Sequence, residues 1–182
     1  MAATGVDVIV SAPQKGWSGS PCCAMVMLSA RARQALESTT STSFACDLKK
    51  WLQIMEAFES GGHAYHTTMP TDALARLRDV MQETRAYGFE KVRSEQLELG
   101  NKVRALFESR GIASVAADGF KAPGVIVSYT SDPALQNSQK FLAAGLQTAA
   151  GVPLQCDEPA GFSTFRVGLF GLEKLHNIDR TV

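Results

Sequence analysis

The feature that most constrains the fold is a β-branched run that lies almost at the first residue. Residues 6–10 read VDVIV and are followed at once by Ser11, Ala12 and Pro13. A short apolar run that ends in a turn is typical of a buried strand. A buried parallel strand needs a neighbour on each side, and no chain before this run supplies one. We therefore expect the sequence to be part of a larger protein.

Composition limits the class of protein. Of 182 residues, 45% are hydrophobic and 20% charged, which allows a core and argues against intrinsic disorder. Eighteen basic residues balance eighteen acidic ones, whereas nucleic-acid binding needs a basic excess or a basic face. No apolar run approaches the ~18 residues of a membrane span, and the first residues do not resemble a signal peptide. These features predict a soluble cytoplasmic protein without nucleic-acid or membrane partners.

The number and spacing of the cysteines also fit a cytoplasmic protein. There are four, Cys22, Cys23, Cys46 and Cys156, and their spacing fits neither a zinc site nor a disulfide framework. Because free cysteine commonly behaves as a small buried hydrophobe, we expect these side chains to be buried.

The first half of the chain reads as a strand followed by helices. The segment CCAMVMLS predicts a second strand. Helices are predicted from Ser29, with Ser29 as the N-cap, and from Asp47. A long helical pattern then runs from about Asp72 to Arg110. Gly88 is a predicted break within it, so we expect two helices or one bent helix.

The second half alternates between strands and helices. IASVAA, APGVIVSY, VPLQC and TFRVGLF are predicted strands. A helix is predicted over SDPALQNSQKFLAAGLQTA, capped by Ser131 or Asp132, and another begins at Leu172. This order is typical of a small α+β layer sandwich.

Two basic residues are candidates for chemistry. Lys15 follows the first strand directly, in a tight turn, and strand ends are where α/β sheets bind ligands. A lysine there can form a Schiff base, although most turn lysines are simply solvated. Arg166 lies within a predicted strand and offers a bidentate fork for a carboxylate. Its ordinary alternative is an outward-facing arginine in an ion pair.

A polar loop is the third candidate. Tyr65, His66, Thr67 and Thr68 precede Pro70, and hydroxyls next to a helix N-terminus favour anions such as phosphate. His63 and His66 have the spacing of a metal pair, but no third ligand is in view, so a metal site is not predicted. His176 is expected to be structural.

Taken in order, the motifs SAPQK, YHTTMP and FRVG resemble those of the class V (fold type I) pyridoxal-phosphate aminotransferases. The sequence is most similar to the alanine–glyoxylate and serine–pyruvate aminotransferase group, over nearly the whole chain. The resemblance implies an α/β fold in which residues 1–86 end the large cofactor domain, with its mainly parallel sheet. Residues 87–182 would form the small α+β C-terminal domain, with its last helix truncated.

The resemblance also implies roles for five residues. Lys15 would bind pyridoxal 5'-phosphate as a Schiff base and then act as general base and acid. Gln14 would hydrogen-bond at the phosphate end of the cofactor. Tyr65 and Thr68 would reach the phosphate of the neighbouring subunit in a homodimer, and Arg166 would hold the substrate carboxylate. The implied reaction is transamination of a small 2-amino acid, alanine or serine, with glyoxylate or pyruvate as acceptor.

Some features depart from the family pattern. The aspartate that pairs with the pyridine nitrogen, the ring that stacks on the cofactor and most phosphate ligands precede the lysine in this family, so they would lie outside the sequence. We therefore expect this piece alone to bind the cofactor weakly and to be inactive. Trp17, in the loop after Lys15, either packs or narrows the substrate pocket.

Two alternatives stay open. A cysteine desulfurase or selenocysteine lyase has the same fold, but it usually has His rather than Gln before the lysine, so Gln14 counts against it. Cys156 is the loop cysteine that such a reaction would use. The other alternative is an inactive fragment or dimerisation module.

Overall fold

The computed structural model describes residues 1–182 as two compact units. One comprises Met1–Gln14 and Gly19–Arg78, and the other Lys15–Ser18 and Asp79–Val182. The chain begins with β1 (Val8–Ser11), β2 (Met25–Leu28), α1 (Ala30–Glu37), α2 (Leu48–Glu59) and α3 (Thr71–Tyr87), within which the division falls. The second unit continues with α4 (Phe89–Ser109), β3 (Val125–Tyr129), α5 (Pro133–Gln136), α6 (Gln139–Ala143), β4 (Ala149–Ala150), β5 (Thr164–Gly168), α7 (Leu172–Leu175) and α8 (Ile178–Thr181).

The first two strands form an antiparallel pair in which Val8 lies opposite Leu28 and Ser11 opposite Met25. The prediction of a strand here is confirmed, but the prediction that it is buried is wrong. Val8 is 44% exposed and Val10 69% exposed, because in a two-stranded sheet both strands are edges. The β-branched residues indicate an extended backbone, and they carry no information about what covers it.

The predicted N-cap Ser29 is confirmed, and Asp47 also caps the helix predicted to begin there. The Ser29 hydroxyl accepts the Ala32 N–H at 3.1 Å, and the Asp47 carboxylate accepts the Lys50 N–H at 3.0 Å. Ser29 also donates to Asp7 at 2.6 Å. Because the Arg31 guanidinium and Ser29 both hydrogen-bond to Asp7, the pKa of that carboxyl is lowered from its ordinary value.

Gly88 separates α3 from α4, as predicted. Its φ of 103° lies in a region that side chains other than glycine rarely adopt, so the helix cannot continue through it. The long pattern therefore forms two helices. None of the helices in the structure combines the length and the apolar character needed to cross a membrane.

The second unit contains a three-stranded antiparallel sheet in the order β3-β5-β4. The predictions for APGVIVSY and TFRVGLF are confirmed by β3 and β5. IASVAA contributes only an isolated bridge between Ser114 and Ser128, so a full strand there is wrong.

The predicted strand VPLQC is also wrong, because its backbone turns instead of extending. The Glu158 carboxylate accepts the N–H groups of Leu154, Gln155 and Cys156, the last two at 2.7 Å. Gln155 has a φ of 60°, which a strand residue does not adopt. These contacts hold the segment as a loop, and the edge strand β4 lies before it.

The predicted helix over SDPALQNSQKFLAAGLQTA is divided into α5 and α6. Asp132, one of the two predicted caps, accepts the Ala134 N–H at 2.8 Å. Ser138 has a φ of 68° and interrupts the helix between the two short pieces.

Helix α4 packs on the sheet through a core of buried aliphatic residues: Leu99, Val103, Ile126, Leu169 and Leu175. Phe165 of β5 adds an edge-on contact with Phe107 at 5.5 Å between centroids and a tilted one with Phe141 at 5.1 Å. This packing leaves the other face of β5 free of the helix, since side chains alternate along a strand.

One face of α4 comes close to the backbone that leads into β3. A Cβ on Gly100 would lie 2.7 Å from the Pro123 carbonyl oxygen, so only glycine allows this approach. One turn further, the buried Arg104 donates to the carbonyl oxygens of Ala122 and Val125. Burial lowers the pKa of that guanidinium.

Candidate active site

Lys15 lies in the turn that follows β1. The turn is closed by two backbone hydrogen bonds, from Ser18 N–H to the Lys15 carbonyl at 2.8 Å and from Gly19 N–H to the Pro13 carbonyl at 2.9 Å. Pro13 is fully buried, whereas the side chains of Gln14 and Lys15 are exposed. Neither side chain makes a hydrogen bond or ion pair, so the Lys15 amine is open to solvent.

Trp17, in the same loop, makes an edge-on contact with Phe89 at the start of α4, with 6.3 Å between centroids. Of the two interpretations of Trp17, this contact favours packing. Phe89 is 54% exposed, so the pair forms a partly open aromatic surface beside the Lys15 turn.

The polar loop before α3 presents two hydroxyls on its outside. The Tyr65 hydroxyl lies 3.3 Å from Thr68 Oγ1, and Tyr65 is 79% exposed. Paired hydroxyls that face solvent are able to donate to an anion such as a phosphate. The structure therefore brings together two of the predicted phosphate ligands.

His66 anchors that loop. Its Nε2 lies 3.1 Å from the Phe44 carbonyl oxygen, and its ring contacts Phe44 and Trp51, with centroids 4.2 Å and 5.2 Å away. The Trp51 indole, on α2, donates to the Ala45 carbonyl at 2.8 Å. This hydrogen bond holds the ring that His66 contacts. Sequence reasoning missed this role, since the three rings come from separate segments.

The other two histidines are placed as follows. His63 is exposed, and no group of three or more His, Cys, Asp or Glu side chains converges to hold a metal ion. The His176 ring lies 4.8 Å from the Tyr87 ring, which is consistent with the structural role expected for it.

Arg166 occupies the middle of β5, opposite Val127 on one side and Ala149 on the other. Its Nε donates to the Ala150 carbonyl at 2.8 Å, and no acidic side chain pairs with it. Arg166 is half-buried on the strand, and the ion pair of its ordinary alternative is not formed. One hydrogen bond fixes the plane of the guanidinium, and its two Nη groups are left for a carboxylate.

Lys15 and Arg166 both belong to the second unit, and no hydrogen bond or ion pair joins them. A cleft of about 540 Å³ also lies in this unit, and its mixed lining of polar and apolar residues includes Ser131, Phe162 and Thr164. None of the five predicted site residues lines it.

Comparison with known proteins gives one curated relative. It is named soluble hydrogenase, small subunit, from Synechococcus sp. (strain PCC 6716) and is 26% identical over 121 residues. The match covers 66% of this chain and 30% of that protein. No protein-family model matches the sequence.

Solved aminotransferase structures match almost the whole chain. Alanine–glyoxylate aminotransferase from Nostoc sp. has a TM-score of 0.79 at 18% identity, covering 98% of this chain and 47% of its own. Aspartate aminotransferase of subgroup IV from Thermus thermophilus has a TM-score of 0.74 at 23% identity, with 98% and 49% covered. Ureidoglycine–glyoxylate aminotransferase from Bacillus subtilis has a TM-score of 0.71 at 20% identity, with 97% and 46% covered.

The chain thus spans about half the length of these structures. Its mixed helix and sheet elements agree with those of the matched structures. The share of those structures that it matches is consistent with a C-terminal part of such a protein. Almost the whole chain therefore has the fold of about half of an alanine–glyoxylate aminotransferase or of its structural relatives.

Proposed function

We propose that this chain carries part of the active site of a pyridoxal-phosphate-dependent class V aminotransferase. Its substrate is a small 2-amino acid, alanine or serine, and glyoxylate or pyruvate is the acceptor. The observation that carries the proposal is the unpartnered Lys15 amine in the turn after β1, within a fold shared with alanine–glyoxylate aminotransferase. We place the protein in the cytoplasm.

The residues present fit this cofactor. An amine without a partner suits the cofactor's carbonyl, and the exposed hydroxyl pair of Tyr65 and Thr68 suits its phosphate. Gln14 is exposed beside the lysine and has a free amide to donate. When bound, the cofactor supplies an electron sink for the substrate carbon.

Lys15 holds the cofactor through its amine and then moves a proton. Once released, the amine would take the proton from the substrate Cα and deliver it to the C4′ carbon of the cofactor. A base held beside the reacting carbon acts at a high effective concentration, so the transfer needs no encounter with a base from solution.

Arg166 binds and orients the substrate. Its Nη groups donate to the two oxygens of the α-carboxylate, while the Ala150 carbonyl accepts the Nε–H and holds it in place. A carboxylate fixed at one end leaves the Cα–H bond in one orientation, which is what selective cleavage of that bond requires.

The exposed loop of Tyr65 and Thr68 serves a second subunit in this proposal. Tyr65 and Thr68 are both exposed, and His66 anchors the loop that carries them. We assign them to the phosphate in the neighbouring subunit of a homodimer, so that each site is shared between two chains.

Covalent labelling tests the assignment of Lys15. The complete protein is loaded with pyridoxal phosphate and treated with borohydride, which fixes the cofactor to the amine that holds it. We expect mass spectrometry to find the label on the peptide that contains Lys15, no label in Lys15→Ala, and unchanged label in the matched control Lys50→Ala.

Three results would contradict the proposal. A label that persists in Lys15→Ala places the cofactor on another lysine. Release of sulfur from free cysteine, with a persulfide on Cys156, indicates the desulfurase alternative. An unaltered protein that takes up no cofactor indicates the inactive dimerisation module.

A second prediction concerns the substrate carboxylate. Arg166→Ala in the complete protein should raise the KM for the amino acid by roughly 30- to 900-fold, which corresponds to about 2–4 kcal/mol for a lost charge-assisted pair. The cofactor should stay bound, as followed by its absorbance. Arg93→Ala is the control, because Arg93 is an exposed α4 residue paired only with Glu90. A KM that barely moves in Arg166→Ala contradicts the role given to Arg166.

A further inference from the structure

Two adjacent thiols lie between the Lys15 turn and β2, and the proposed reaction does not use them. Cys22 and Cys23 are both half-buried, and their Sγ atoms are 3.9 Å apart. The expectation that all four cysteines are buried is wrong, since Cys46 and Cys156 are exposed. The pair is therefore distinguished from the other two thiols by both proximity and partial burial.

The distance between the sulfurs suits one bridging atom. One atom bonded to two thiolate sulfurs at about 2.3 Å each can span at most about 4.6 Å between them. The observed 3.9 Å lies within that span. Both sulfurs can thus bind the same soft atom with the backbone as it stands.

A direct disulfide suits the pair less well. Adjacent Cα atoms across a trans peptide are about 3.8 Å apart, below the usual range of about 4.4–6.8 Å for disulfides. Closing the bond would also bring the sulfurs from 3.9 Å to about 2.0 Å. The geometry favours a bridged pair over an oxidised one.

The number of ligands selects the class of bridging atom. A structural zinc ion needs four ligands, and no group of three or more His, Cys, Asp or Glu side chains converges anywhere in the structure. A trivalent arsenical that already carries one organic group needs only two thiolates. The pair supplies that number.

We propose that Cys22 and Cys23 form a bidentate binding site for trivalent arsenicals. With phenylarsine oxide, two As–S bonds form and two S–H bonds break, the oxide leaves as water, and arsenic stays trivalent. Burial and the neighbouring Cys22 raise the pKa of Cys23. Both thiol protons leave in the water, so the exchange balances without an oxidant or a reductant.

Titration with phenylarsine oxide tests the site. The unaltered protein should bind one equivalent that resists excess glutathione, a monothiol, and is removed by dithiothreitol, a dithiol. Cys22→Ser and Cys23→Ser should each weaken binding at least about a hundredfold, because losing one of two linked ligands removes the effective concentration of the second. Cys46→Ser and Cys156→Ser are matched controls and should bind as the unaltered protein does.

A peptide map keeps the proposal testable if a substituted protein fails to fold. In the unaltered protein the phenylarsenic adduct should lie on the peptide that contains both Cys22 and Cys23. An adduct on the peptides of Cys46 or Cys156 overturns the proposal. So does undiminished binding in a folded Cys22→Ser or Cys23→Ser variant, with circular dichroism as the test of folding.

Discussion

The Lys15→Ala variant of the complete protein should transaminate alanine or serine about 10²- to 10⁴-fold more slowly than the unaltered protein. That range is the usual contribution of a positioned general acid–base group. The physical reason is that the Lys15 amine is exposed in a closed turn and bonded to no other group. Removing it leaves only solvent to accept the Cα proton. The rate is measured by oxo-acid formation with saturating cofactor.

Rescue by an external base separates this role from a structural one. Methylamine should restore part of the activity of Lys15→Ala, because it supplies a base where the side chain is missing, and should leave Lys50→Ala unchanged. Lys50 is an exposed lysine of α2, so it reports on the general effect of removing a positive charge. An unchanged rate in Lys15→Ala would falsify the assignment.

Local features of the fold could be predicted from the sequence because local contacts determine them. Ser29 and Asp47 cap helices by bonding to N–H groups three residues further along the chain, so a short window contains the whole interaction. The break at Gly88 is equally local, since it depends on one backbone angle. For the same reason the strands β3 and β5 follow from their own residues.

Burial and loop structure could not be predicted in the same way. Exposure of Val10 depends on how many strands pair and what covers them, which lies outside the run itself. The loop at 154–156 depends on the Glu158 carboxylate turning back onto three N–H groups. An apolar run of this length is also typical of a strand, so only that contact decides between the two structures.

Some features of the candidate site could likewise be predicted from the sequence, and others could not. The motifs around Lys15, Tyr65 and Arg166 identify the residue types and their order along the chain. The structure adds that the lysine side chain has no partner and that the arginine has no acidic partner. The anchoring of the Tyr65 loop by His66 could not be predicted, because Phe44 and Trp51 approach it from other segments. Contacts between segments have no local pattern.

Phe165→Ala should lower the free energy of unfolding by about 3–5 kcal/mol, the usual effect of removing a large aromatic side chain from a core. Phe165 is 1% exposed and lies between Phe107 of α4 and Phe141 of α6, so alanine leaves a cavity that neither ring can fill without moving. Urea unfolding followed by circular dichroism measures the change. Phe120→Ala is the matched control, since Phe120 is 83% exposed and its loss should cost within about 0.5 kcal/mol.

The packing of Phe165 also bears on the candidate site, because Arg166 lies on the same strand. Phe165 and Arg166 are neighbours on β5, so the ring contact that holds the strand against α4 also holds the backbone from which Arg166 extends on the other face. Phe165→Leu should recover part of the lost stability, because it refills much of the cavity. Equal urea midpoints for Phe165→Ala and Phe120→Ala would show that the core of the second unit does not depend on the Phe165 ring. The inference that this ring helps to position Arg166 would then be wrong.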